Sequence, residues 1–129
     1  MTQTLNYLGM DVFTSAYYEC ALWSSTDDNG TPLDSGANSD RELSQSCIDL
    51  FKSDCDAFRA ANAALIIEAQ KYQSIGHIAH DFWLTRNGHG AGFWDGDYPK
   101  DIGESLTKAS KSFGECDLYI GDDGMIYVA

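Results

Sequence analysis

Positive charge is what this chain has least of: eight Lys and Arg residues stand against twenty Asp and Glu, for a formal net charge of −12. The deficit is spread evenly, with eleven acidic and four basic residues before Gly76 and nine and four from there on. A field of that sign repels phosphate backbones, so direct nucleic-acid binding is disfavoured and a basic protein surface is the expected partner. Long apolar runs are also missing. No stretch approaches the roughly 20 residues needed to cross a bilayer, and the start MTQTLNYLGMDVF lacks the basic and apolar regions of a signal peptide. Both absences predict a soluble, cytoplasmic protein. Cys20, Cys47, Cys55 and Cys116 have no C-x-x-C spacing, which predicts reduced, buried thiols and no disulfide framework. The DDNG run at Gly30 lacks the acidic first position and terminal Glu of a calcium loop, and no Gly-rich stretch has Walker or dinucleotide spacing.

What is present fits one globular domain over residues 1–129. Apolar residues make up 43% and aromatics 12%, and a chain of this length buries about two-thirds of its unfolded surface. Asp11 is a plausible cap for a helix to about Trp23, with Phe13, Ala16, Tyr17, Cys20 and Ala21 on one stripe. A loop rich in Gly, Asp, Asn and Ser follows. From Asp40 to about Tyr72 the residues Leu43, Cys47, Leu50, Phe51, Cys55, Phe58, Ala61, Leu65 and Ala69 predict one long helix. Ser53 and Asp54 mark a weak point in it, and Ser74-Ile75-Gly76 reads as its stop.

Alternation of Phe82 and Leu84 with Trp83 and Thr85, then Asn87-Gly88 and a return through Ala91 to Trp94, predicts a β-hairpin. Pro99 opens a helix with the stripe Ile102, Leu106, Ala109 and Phe113, closed by Gly114. Cys116–Ile120 and Met125–Val128 flank a tight turn at Gly121-Asp122-Asp123-Gly124. The expected fold is therefore α+β: two N-terminal helices followed by a β-β-α-β-β unit forming a small antiparallel sheet.

The segment from Gly76 to Asp97 holds all three histidines, two of three tryptophans and five of twelve glycines. It supplies the candidate binding residues Trp83, Arg86, Asn87, His89, Trp94, Asp95 and Asp97. In each Phe-Trp pair one ring faces the core and the other outward, unless a helix covers the second face. An outward Trp beside charged groups has hot-spot composition. Arg86 with the adjacent glycines offers donors to an anion; the competing reading pairs Arg86 with Asp81 or Asp95 and leaves the glycines to the turn. His77, His80, Asp81, His89 and Asp95 have metal-ligand chemistry, but residues three apart share a face only on a helix. The competing reading has both histidines capping the segment before them, and no resident metal or cofactor is expected. His89 with Asp95 or Asp97 fits acid–base catalysis without demanding it, and no catalytic residue is assigned.

The stretches AYYECALWSSTDDNGTPLD, HDFWLTRNGHGAGFWD and DLYIGDDGMIYV resemble a family of small uncharacterised proteins of tailed bacteriophages and related mobile elements. The resemblance implies a phage source and no activity. A small acidic phage protein suggests a non-enzymatic inhibitor of a host nucleic-acid-binding or defence protein, acting as a DNA mimic. Asp27, Asp28, Asp95, Asp97, Asp122 and Asp123 would supply charge and Trp83 or Trp94 an apolar anchor. The alternative is a small enzyme or sponge that holds a nucleotide or other anion through residues 77–97.

Overall fold

The Asp11 side chain accepts the Thr14 N–H at 2.8 Å, which satisfies one free donor of the first turn and starts α1 (Val12–Ser24) where the capping pattern places it. The computed structural model describes residues 11–129; the leaderless reading of the first ten residues lies outside them. After α1 the chain forms a loop containing a 3-10 turn at Gly36–Asn38. Buried Asn38 ties this loop together through Asp27, Pro32 O and Arg41.

Helix α2 (Gln45–Ala61) begins at Ser44, whose hydroxyl accepts the Cys47 N–H, and not at Asp40. The single helix expected as far as Tyr72 is broken, at Asn62 rather than at Ser53 or Asp54. Asn62 turns out of helical geometry at φ −123° and its amide donates to Phe58 O, after which α3 (Ala63–Ala69) resumes. Asp54 keeps its place on the inner side of α2 because it pairs with Arg86.

The predicted hairpin over residues 78–94 is not formed; Ile75–Arg86 is a helix, α4. The supposed stop at Ser74 is its start, since the Ser74 hydroxyl accepts the His77 N–H at 3.1 Å. Nearly every residue from Ile78 to Arg86 is buried, so α4 carries no one-sided stripe, and a helix enclosed all round gives the same apolar run as a strand. Asn87 and Gly88, read as a hairpin turn, terminate this helix, with Gly88 at φ 70°.

A loop over residues 87–99 leads to α5 (Lys100–Lys111), with Pro99 at its N-cap. Strands β1 (Leu118–Ile120) and β2 (Ile126–Val128) pair antiparallel, Tyr119 opposite Tyr127, as the turn sequence predicts. Segment 42–44 adds one parallel bridge, Leu43 to Ile126. The expected β-β-α-β-β unit is thus replaced, among the described residues, by five α-helices and one two-stranded sheet. None of these helices is long and apolar enough to cross a membrane.

The core is aromatic. Helix α4 packs most extensively on α1 and next on α5, and Phe58 and Phe82 stack with ring centroids 3.9 Å apart, with Tyr17, Phe51 and Trp83 in edge or tilted contact around them. All four cysteines are free and buried. Burial pushes the Cys20 and Cys47 thiols up to about 12 and Cys116 up to about 11, which keeps them protonated and unreactive.

Candidate functional site

Four polar side chains meet where the N-terminal half of α4 is covered by the loop preceding α5. Helical spacing puts Asp81 one turn beyond His77, on the same face. The returning loop adds Asp97 and Tyr98. His77 Nε2 lies 3.2 Å from Asp81 Oδ2 and 3.1 Å from Asp97 Oδ2. The Tyr98 hydroxyl donates to Asp81 Oδ2 at 2.7 Å. Asp81 is buried, whereas the His77 and Asp97 side chains are 39% and 41% exposed, so the cluster is rooted in the core and opens to solvent.

Burial pushes the Asp81 carboxyl up to about 6. The Tyr98 hydrogen bond and His77 oppose that shift, and the Asp95 and Asp97 charges reinforce it. The Tyr98 phenol is itself driven well above its ordinary range by burial and by Asp81, and so remains a donor. One nitrogen and two carboxylate oxygens, all within 4.8 Å of one another, form the metal-ligand grouping found among the described residues.

Of the residues singled out in the sequence, His77, Asp81 and Asp97 meet in this cluster, with Asp95 near enough for its charge to act on Asp81, and the others lie elsewhere. Trp83 is sealed in the core and its indole N–H donates to Ser24 Oγ at 2.9 Å. Arg86 is also buried, paired to Asp54 at 2.8 Å and not to Asp81 or Asp95. Its remaining donors reach Tyr17 Oη and the carbonyls of Phe113 and Gly114. The anion cradle expected at Arg86 is accordingly absent, its guanidinium being committed to the protein. Asn87 accepts the Cys116 N–H at 2.7 Å and donates to Trp83 O, fastening the end of α4 to the strand region.

His89 is half-buried, its backbone N–H bonded to Leu84 O. Asp95 is exposed and accepts the Gly92 N–H. Trp94 is exposed at 53% and borders a cavity of about 340 Å³ with Phe93, Tyr98, Lys100 and Glu104. His80 caps no preceding carbonyl by its ring; it sits beside Trp23 with ring centroids 6.5 Å apart. Tyr98 escaped the sequence reading, and the clue to it was the i, i+4 pair His77–Asp81 hidden inside an apparent strand.

A second surface combines rings with carboxylates. Tyr119 and Tyr127 stack at 5.6 Å on the hairpin, and Gly121 leaves room for this arrangement: a Cβ there would meet the Tyr127 ring at 2.4 Å. Asp122 and Asp123 in the turn share a shallow depression with both tyrosines. Asp27, Asp28, Leu118 and Tyr119 line an adjoining one of about 200 Å³. The Asn38 amide and the Thr31 and Asn29 N–H groups hold the Asp27 carboxyl below its usual range, while the Tyr127 hydroxyl and Met125 N–H do the same for Asp123. Both therefore stay ionised under any mildly acidic condition.

No protein-family model, curated protein or solved structure matches this chain.

Proposed function

We propose that this is a non-enzymatic binding protein of phage or mobile-element type that occupies a basic surface of a host nucleic-acid-binding or defence protein. The observation that carries the reading is the hairpin face, where stacked Tyr119 and Tyr127 lie among Asp27, Asp28, Asp122 and Asp123. Carboxylates attract the Lys and Arg side chains that otherwise hold phosphates, and tyrosine faces accept the same cations through their quadrupole. Of the twenty acidic residues only Asp81 is buried, so the long-range field is almost undiminished by folding. Trp94, still exposed, remains available as an apolar anchor next to Asp95 and Asp97, whereas Trp83 does not. The competing nucleotide sponge loses its main donor with Arg86 buried.

The test is affinity capture from a bacterial lysate at 50 mM salt, followed by competition of each captured nucleic-acid-binding protein against labelled DNA. The expected result is displacement of DNA by the wild type, weakening steeply by 300 mM salt. A Tyr119→Ala, Asp122→Asn, Asp123→Asn variant should bind at least tenfold more weakly. Recovery of no nucleic-acid-binding protein, or equal binding by that variant, refutes the reading.

A further inference from the structure

We infer that His77, Asp81 and Asp97 constitute a binding site for a divalent transition-metal ion, independent of the hairpin face. Ligands around an ion at about 2.0–2.1 Å are separated by roughly 2.8–3.0 Å when cis in octahedral geometry and by roughly 3.3–3.4 Å in tetrahedral geometry. The His77 Nε2 separations of 3.1 and 3.2 Å from the two carboxylate oxygens lie between these two values, so either geometry is reached by shifts of a few tenths of an ångström. The third edge, between Asp81 and Asp97, lies within 4.8 Å, with Asp81 buried in the core and Asp97 exposed on the loop.

Charge supplies an independent argument. A single imidazole, His77, stands within 3.1–3.2 Å of two carboxylates, Asp97 and the buried Asp81. Buried carboxylates are ordinarily compensated by a cation or a metal, and even the only partly buried Asp54 has Arg86 as its partner in this molecule. A divalent ion balances the anionic surplus, and the Tyr98 hydroxyl orients Asp81 as outer partners of ligating carboxylates do. Two oxygens and one imidazole nitrogen suit manganese, iron, cobalt or zinc better than magnesium or calcium, which take oxygen ligands. Solvent exposure of His77 and Asp97 leaves the ion's other positions to water.

The experiment is calorimetric titration of the EDTA-treated full-length protein with Mn²⁺, Co²⁺ and Mg²⁺ at pH 7.5, with Mn²⁺ binding also followed by electron paramagnetic resonance. One Mn²⁺ or Co²⁺ per chain is expected, with Mg²⁺ at least tenfold weaker. His77→Ala and Asp97→Ala, both at exposed positions, should each weaken binding at least tenfold, and Tyr98→Phe about tenfold through the loss of Asp81 orientation. His89→Ala should leave it unchanged and so separates the site from adventitious imidazole binding. Absence of 1:1 binding by the wild type, retention in both His77→Ala and Asp97→Ala, or loss in His89→Ala overturns the assignment; Mg²⁺ binding as tightly as Mn²⁺ overturns the role of the imidazole.

Discussion

Arg86 is the residue on which three parts of the chain converge: Tyr17 of α1, Asp54 of α2, and the carbonyls of Phe113 and Gly114 after α5 all bond to its guanidinium. The rings of Phe82 and Phe113 flank it at 5.7 and 5.6 Å. A planar guanidinium with five N–H donors meets these four acceptors while buried, one more than the three donors of a lysine ammonium could. Removing one partner leaves a desolvated charge uncompensated, so Asp54→Ala is expected to destabilise by about 3 kcal/mol, the lower end of the range for buried pairs because Asp54 keeps some solvent contact. Urea denaturation reads this as a lower midpoint at unchanged slope. A loss below about 0.5 kcal/mol, the scale of exposed pairs, contradicts the burial argument. The same pair explains a misleading signal in the sequence. Asp54 on an apolar stripe suggests a helix break when its partner, 32 residues away, is unknown.

At the scale of elements, each helix announces itself by the environment of its faces. Helices α1 and α5 and the terminal hairpin were legible, because caps, stripes and turn residues agree with one another there. Helix α4 was not: core on one side and covering loop on the other leave it without a polar face, and alternation of Phe82, Trp83, Leu84 and Thr85 then imitates a strand. Two of the three ligands of the candidate metal site were hidden by the same cause, since His77 and Asp81 become neighbours only on a helix. Asp97 was named for its charge and as an acid–base partner of His89, not as a neighbour of His77.

Two predictions belong to this scale. A Cβ at Gly103 of α5 would meet the Phe93 carbonyl oxygen at 2.7 Å, and backbone on both sides leaves little room to yield. Gly103→Ala should therefore cost about 1–3 kcal/mol in spite of alanine's better helix propensity; a stabilised variant in thermal unfolding shows the contact to be soft. For α1, burial opposes ionisation of Asp11, yet the Thr14 hydrogen bonds and the Arg59 ion pair outweigh it and lower the carboxyl below its ordinary value. A carboxyl depressed in the folded state stabilises at pH values above its unfolded value near 4, and that contribution is lost as pH falls through the lower folded value. Asp11→Ala should cost about 1 kcal/mol at pH 7. The gap between variant and wild type should narrow below pH 4, whereas Asp11→Asn, which keeps the cap acceptor, should lose less. A gap independent of pH contradicts the ionic part of the argument.

For the molecule as a whole the dominant physical fact is a charge of −12 on a 129-residue chain. Four Lys or Arg ion pairs and two His pairings, of which Arg86–Asp54 is largely buried, occur among the described residues, but most carboxylates face water, and like charges at the surface repel one another. The unfolded chain spreads the same charge over a larger volume, so self-repulsion favours unfolding. Salt shortens the range of that repulsion, from a Debye length of about 10 Å at 0.1 M to about 3 Å at 1 M. It weakens exposed pairs such as Lys71–Glu68 as well, but those contribute at most about 1 kcal/mol each. Repulsion should prevail, and raising sodium chloride from 20 to 500 mM is expected to stabilise the fold by about 1 kcal/mol, a few degrees in Tm. The measurement belongs in EDTA, so that no divalent ion contributes, and with choline chloride in parallel, since screening depends on ionic strength and not on the cation. A Tm that falls with salt shows that attractive pairs outweigh the net charge. The steep salt dependence expected of partner binding would then have to arise at the hairpin face alone.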